Sequence, residues 1–367
     1  MYFAILGKNP DISKAELELI QPTNISSPKK GIITFDTNKP ELISTLGGII
    51  KAGSIVKEKD LPEVLKDVKI IGIKEIANGK HLKQTIGIKR FKTVDFFHTD
   101  KEIKEKGMEL INLGNGDYGR VEWYQNIPLY ETIDFDKPAR SMHMGMMPAK
   151  LTHMMINIGL HSLKSKVHKV EGLDRPEDLI DLKTGRPDGP STVIYDPFVG
   201  SGTTGFLANT LGFEFIGSDI NISYVEQNAK WRAKTPFANS KSDFQIFQHD
   251  ITTPLTNKID IADSQLLIIS EGRLGPIVTA RTSPETIQRN QKEVLDMYKA
   301  FLQRIKELST GNIQPVTVIT IPYYQTDNFL EKELVIVAQK FGLSLSSISE
   351  IYQRENQKIG RKILIIS

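Results

Sequence analysis

Four carboxylates that each follow a short hydrophobic run are the residues best placed to do chemistry. Asp196 opens Tyr195-Asp-Pro-Phe-Val-Gly-Ser-Gly-Thr-Thr-Gly205, in which Gly200, Gly202 and Gly205 satisfy G-x-G-x-x-G. Asp219 comes 23 residues later in Ile216-Gly-Ser-Asp-Ile220, Asp250 lies in Gln248-His-Asp-Ile251, and Glu271 in Leu267-Ile-Ile-Ser-Glu-Gly-Arg-Leu-Gly-Pro276. A glycine triplet between a strand and a helix makes a turn that a dinucleotide or another nucleoside cofactor can approach closely. Asp196 discriminates between them. A pyrophosphate on the helix N-terminus would be repelled by a carboxylate at that strand end. The ammonium and sulfonium of S-adenosylmethionine would be attracted to it, so the loop favours that cofactor over NAD. Asp219 sits where an acid can bind the ribose hydroxyls, and Asp250 where one can accept from an adenine amine. The expected cofactor set is Asp196, Phe198, Gly200, Ser201, Gly202, Thr203, Asp219, Ile220, Asp250 and Ile251.

Regular alternation must position these residues. It predicts strand Thr192–Tyr195, helix Thr203–Leu211, strand Glu214–Gly217, helix Ser223–Lys234, strand Phe244–Phe247 and strand Gln265–Ser270. Strands separated by helices imply a parallel sheet wound on both faces. A long amphipathic helix opens at Ser283-Pro284 and runs to about Leu308, with Ser as cap and Pro in the first turn. Strand Val316–Ile321, a helix over Asn328–Phe341 and the runs Leu345–Tyr352 and Lys362–Ile366 complete the sheet. Upstream, Pro148–Leu163 has helical spacing and Lys164–Pro190 reads as a long surface loop. Residues 1–50 read as strand Tyr2–Leu6, helix Ile12–Ile20, strand Gly31–Phe35 and helix Pro40–Ile49, a small ferredoxin-like unit. Val68–Ile76 and Lys92–Phe97 are expected strands, and Asn112–Asp136 a loop or connector.

With these motifs in place, the chain resembles class I methyltransferases, and more narrowly the tRNA guanosine methyltransferases that carry a THUMP domain. The resemblance rests on Asp196–Gly202, Gly217–Asp219, the opening Met1–Leu17, Gly145-Met-Met-Pro-Ala-Lys-Leu151 with Met155-Ile-Asn-Ile158, and the tail Tyr352–Arg361. It implies an α/β fold: a Rossmann-like class I methyltransferase domain over 141–367, preceded by small α+β modules. Those are a ferredoxin-like unit over 1–50 and a THUMP-like RNA-binding region with connector over 51–140. It implies transfer of a methyl group from S-adenosylmethionine to the exocyclic amine of a guanosine in tRNA, with tRNA as partner. A small activating protein subunit is a further partner such enzymes can take; no membrane is expected.

The resemblance also supplies a catalytic position. Enzymes of this kind end the fourth strand with Asp/Asn-Pro-Pro-Tyr/Phe or a Glu-Pro-Tyr-Leu-Gly-Pro variant. Aligned on the variant, Ser270 and Glu271 take the catalytic place, with Glu271 accepting from the amine. Gly272 replaces the proline at the expense of rigidity, and Arg273 replaces the aromatic residue with a guanidinium that can stack on a base. This divergence leaves a non-catalytic RNA-binding protein as one alternative. A DNA amine methyltransferase is the other, since Asp-Pro-Phe-x-Gly-Ser-Gly-Thr-Thr also resembles those enzymes; the catalytic motif following the cofactor loop favours RNA.

Composition sets the frame. The 367 residues carry 47 Lys+Arg against 44 Asp+Glu, near balance, and no cysteine. That excludes disulfides, thiolate metal sites and a cysteine nucleophile. The seven histidines include no His-x-x-x-His pair on one helix, so no metal is expected. No secretory leader and no run of about 18 apolar residues is evident, so a cytoplasmic protein is expected. Charge is uneven: residues 66–92 hold eight cations against two acids, an excess that could face phosphates. Lys83, Lys89, Arg90, Lys150 and Arg273 are the expected RNA contacts, with Arg140, Arg354 and Arg361 as further candidates.

Overall fold

The computed structural model describes residues 1–74, 90–95, 99–140, 146–171, 191–237, 243–255, 259, 261, 264–276, 278–279, 282–309, 314–324, 328–353 and 357–367. The chain forms two compact units, Met1–Asn126 and Ile127–Ser367.

Among the described residues the first unit is built on one eight-stranded sheet. Its strands are β1 (Tyr2–Leu6), β2 (Thr23–Lys29), β3 (Ile32–Asp36), β4 (Ile49–Lys57), β5 (Ile70–Lys74), β6 (Arg90–Thr93), β7 (Met108–Gly114) and β8 (Asp117–Tyr124). The order is β2-β3-β1-β4-β8-β7-β5-β6. In the first four strands every neighbouring pair is antiparallel. The boundary expected at residue 50 falls inside β4, which pairs with β1 on one side and β8 on the other. A buried ion pair ties the two halves. Lys51 Nζ donates to Glu109 Oε1 at 2.6 Å and to the Asp95 carbonyl at 2.7 Å, while the Tyr124 hydroxyl donates to Glu109 Oε2 at 3.1 Å. Burial raises the Glu109 carboxyl above its usual range.

Several local expectations are corrected. Asn112–Asp136 is not a loop: it contains the end of β7, all of β8 and the helix Ile127–Phe135. Asn115 and Gly116 turn the β7–β8 hairpin with φ of 52° and 74°, the left-handed pair that Asn-Gly supplies. Pro40–Ile49 is a short 3-10 turn, Pro40–Thr45, that gives way to β4. β2 escapes a hydrophobic-pattern search because six of its seven residues are exposed. The helix begun at Ala149 runs to Glu171, into the expected surface loop, and the rest of that loop, 172–190, lies outside the described residues.

The second unit carries β9 (Thr192–Asp196), β10 (Glu214–Asp219), β11 (Phe244–Gln248), β12 (Gln265–Glu271), β13 (Val316–Tyr323), β14 (Leu345–Ser347) and β15 (Gly360–Ile366). The sheet order is β11-β10-β9-β12-β13-β15-β14. The first five strands are parallel, and β15 inserts antiparallel between β13 and β14. Central strands such as Thr192–Asp196 are buried along their whole length, as a sheet covered on both faces requires. Val193, Tyr195, Leu266, Ile268 and Ile319 pack with helices Pro284–Leu308 and Phe329–Lys340. Leu267, on the other face, meets Gly159 of helix Ala149–Glu171, where an added Cβ would lie 2.5 Å from the leucine Cδ1. Ser283 caps the helix Pro284–Leu308, its side chain accepting from the Thr286 N–H, as the Ser-Pro start predicts.

Candidate active site

The C-terminal ends of β9, β10 and β12 deliver Asp196, Asp219 and Glu271 to one edge of the sheet, and Asp250 follows the end of β11. This is the edge where open α/β sheets bind ligands.

The turn after β9 is held by its own acids. Asp196 is 3% exposed. Its Oδ1 accepts from the Phe198 N–H at 3.0 Å and from the Ser270 hydroxyl, and Thr204 bonds to the same carboxylate. Burial is the largest influence and raises this carboxyl to about 6, against the opposing pull of those bonds. Asp219 Oδ2 accepts from the Gly200 N–H at 2.9 Å, joining β10 to the turn, and Oδ1 accepts from the Asn221 N–H at 3.1 Å. Gly202 immediately precedes the helix Thr203–Thr210 with φ of 89°, and a Cβ there would lie 2.9 Å from Phe206 and Val225 atoms. Ser201, Gly202 and Thr203 are buried, Phe198 and Gly200 half-buried.

The far side of the turn fits the adenosine end of a nucleoside cofactor. Ile220, directly after Asp219 in sequence, is an apolar side chain 65% exposed to solvent. Asp250 is exposed, its Oδ1 accepting from the Thr252 N–H at 2.9 Å, which holds its carboxyl below the usual range; Ile251 is buried beneath it.

Glu271 is held rigidly. Arg361, on β15, grips both carboxylate oxygens: Nη2 donates to Oε1 at 3.1 Å and Nε to Oε2, with Thr320 Oγ1 donating to Oε2 at 3.3 Å. The two side chains are 7% and 5% exposed. Arg361 was expected near RNA; it is instead buried against the catalytic-position acid. Ser270 is fully buried with its hydroxyl committed to Asp196, so it links the turn after β9 to β12.

Gly272 does not loosen the strand end. The Tyr298 hydroxyl, from helix Pro284–Leu308, lies 2.7 Å from where a Gly272 Cβ would stand. It bonds to the Gly272 backbone and donates to the Thr320 carbonyl at 2.8 Å. Tyr324 closes the other end of the turn, donating to the Leu274 carbonyl at 3.0 Å. Two buried tyrosines therefore replace the rigidity of the missing proline. No motif announces them, because both lie outside the Glu271–Pro276 segment.

The described RNA candidates divide between the two units. Arg273 is exposed next to Glu271, and Lys150 is half-buried at the start of helix Ala149–Glu171. Arg90 pairs with Glu102 at 2.9 Å in the first unit, and Lys92 with Asp100 and Glu102, which offset part of the local charge excess from outside its window. Lys83, Lys89 and Arg354 lie outside the described residues. Among the described residues there is no group of three or more His, Cys, Asp or Glu that could hold a metal ion, and no helix long and apolar enough to cross a membrane.

The strand order with its antiparallel seventh strand, and the acid-lined turn after the first, define a class I S-adenosylmethionine-dependent methyltransferase fold. Residues 135–230 match the profile of a family described as DNA methylase. Over 53 residues, 14% of this chain and 20% of the relative, it is 43% identical to the type II methyltransferase M1.MboII of Moraxella bovis. Over 75 residues, 20% of this chain and 28% of the relative, it is 39% identical to the type II methyltransferase M2.DpnII of Streptococcus pneumoniae. The chain thus spans less than a third of the length of the curated relatives it matches. Among solved structures, the magnesium protoporphyrin IX methyltransferase of Synechocystis with bound S-adenosylmethionine is 13% identical, with 65% of this chain and 94% of that one covered and a TM-score of 0.32. The METTL16 methyltransferase domain is 13% identical, with 56% and 80% covered and a TM-score of 0.34.

Proposed function

We propose that the protein methylates the exocyclic amine of a guanosine in tRNA, with S-adenosylmethionine as donor. The observation that carries the amine assignment is the rigid carboxylate of Glu271, placed at the end of β12 beside the strand that ends in Asp196. Bound cofactor supplies an electrophilic methyl group on a sulfonium. Asp219, Ile220 and Asp250 would hold the adenosine, and Asp196 contributes negative charge behind the turn. Glu271, with its charge balanced by Arg361, would accept an N–H of the substrate amine and fix its lone pair toward the methyl group, a gain of orientation rather than of covalent chemistry. Arg273, exposed beside it, would stack on the base. The catalytic residue following the cofactor turn in sequence, and an α+β unit ahead of the methyltransferase unit, favour RNA as substrate.

Methylation of a DNA amine is the second reading, favoured by the DNA methylase profile over 135–230. Tritium transfer from labelled S-adenosylmethionine to bulk tRNA and to duplex DNA separates the two, and mass spectrometry of the digested nucleosides names the methylated base. Label in tRNA as N2-methylguanosine, lost in Glu271→Ala, is the expected result. Label confined to DNA refutes the RNA assignment. Tight tRNA binding with no transfer to either polymer would mark a binding protein that retains the fold.

A further inference from the structure

Lys137 is a buried cation that the reaction outlined above does not use. Its side chain is 1% exposed. Nζ donates to Ser201 Oγ at 3.0 Å and to Thr203 Oγ1 at 2.6 Å, the hydroxyls that flank Gly202 in the cofactor turn. The segment after it is clamped to the same turn. Asn228 accepts from the Ala139 N–H at 2.9 Å, and its amide donates to the carbonyls of Ala139 at 2.8 Å and Ser201 at 2.9 Å.

Two neutral hydroxyls do not need an ammonium. An apolar side chain of similar length would fill the space without the desolvation that burying a charge entails. That burial brings Lys137 down to about 8; Asp134 acts on it through space in the opposite sense, and Arg140 adds to the depression. The side chain is therefore a cation whose bonded partners are hydroxyls rather than a carboxylate, placed behind the first turn of a helix whose N-terminal N–H groups also favour an anion. Because Ser201 and Thr203 accept from Lys137, their own hydroxyl hydrogens point away from it.

We propose that Lys137 is the positioning residue of the cofactor turn: its buried ammonium orients Ser201 and Thr203 as donors and supplies the positive charge that compensates the carboxylate of the cofactor's amino-acid end. The role rests on the S-adenosylmethionine site described above and is independent of the substrate.

Calorimetry with three ligands tests it. S-adenosylhomocysteine carries both amino-acid charges; its deaminated analogue keeps the carboxylate and has no group titrating above about pH 5; methylthioadenosine has neither charge. Lys137→Met and Lys137→Gln should each raise the Kd of the two carboxylate ligands about tenfold or more and leave that of methylthioadenosine within about twofold. Lys137→Arg should restore part of the loss. In the unsubstituted chain, affinity for the deaminated analogue should fall as pH rises through about 8, where Lys137 loses its proton, while methylthioadenosine affinity stays level. This profile decides the matter if the neutral variants do not fold. Equal weakening of all three ligands, full rescue by Gln, or a level profile overturns the proposal. If the unsubstituted chain binds none of the ligands, the cofactor site and the role of Lys137 fall together; if it binds all three and Lys137→Met does likewise, only the role of Lys137 falls.

Discussion

Replacing Arg361 by Met gives the sharpest test of how the catalytic-position acid is held. The substitution removes both guanidinium bonds to Glu271 and leaves a carboxylate, 7% exposed, with Thr320 Oγ1 as its remaining side-chain donor. Breaking a buried pair by deleting one partner costs about 3–5 kcal/mol, far more than an exposed pair is worth. The retained Thr320 bond places Arg361→Met near the lower end of that range. Glu271→Met combined with Arg361→Met removes both charges and should return to within about 1 kcal/mol of the parent, because replacing a whole buried pair by apolar side chains is close to neutral. The chain has two tryptophans, Trp123 in the first unit and Trp231 in the second, so urea unfolding in a Trp123→Phe background reads the second unit through Trp231. Trp231 packs edge-on to Phe206 at 6.1 Å, which makes its fluorescence sensitive to that core. A loss under about 1 kcal/mol in Arg361→Met, or a double variant as unstable as the single one, would refute the buried-pair reasoning.

Other perturbations follow from the same geometry. Asp196 is raised to about 6 in the folded protein, so its burial penalty is full above that pH, fades as pH falls toward the unfolded value near 4, and is absent below it. The stability advantage of Asp196→Asn over the parent, read by thermal melts without ligand, should shrink from pH 7 to pH 4.5; S-adenosylhomocysteine affinity of the parent should fall through about pH 6 as the negative charge is lost. Gly272→Ala forces a methyl to within 2.7 Å of the Tyr298 hydroxyl and should cost about 1–3 kcal/mol, with Tyr298→Phe recovering part of the loss in the double variant. Lys51→Met strands the buried Glu109 and should destabilise the first unit by about 3–5 kcal/mol, read through Trp123 in a Trp231→Phe background; Lys51→Met with Glu109→Leu should recover most of it.

The sequence was most legible where its period was strongest. The β9–β13 alternation and the helix Pro284–Leu308 have apolar spacing, caps and glycines that agree with one another, and the structure follows them closely. Legibility failed where exposed polar strands carry no period, as in Thr23–Lys29, and where a turn signal lay unread, as at Asn115-Gly116. Asp196, Asp219 and Asp250 could be placed because strand ends are predictable from the strands themselves. The partners of Glu271 could not. Arg361 lies 90 positions away on an antiparallel strand, and the register that aligns Glu271 with Thr320, and β13 with β15, is set by the whole sheet. Lys137 offered only a lysine before a proline, with nothing local to show that it is buried.

Glu271 also has a consequence for the order in which the second unit forms. Its counter-charge arrives only when β15, the last strand of the unit in sequence, threads between β13 and β14. Until that insertion the parallel strands can assemble and the cofactor turn can take shape, but a desolvated carboxylate at the end of β12 would stand uncompensated and oppose compaction there. Docking of β15 is thus the step that fixes the end of β12, and a refolding chain should gain affinity for S-adenosylhomocysteine before Glu271 reaches its final place.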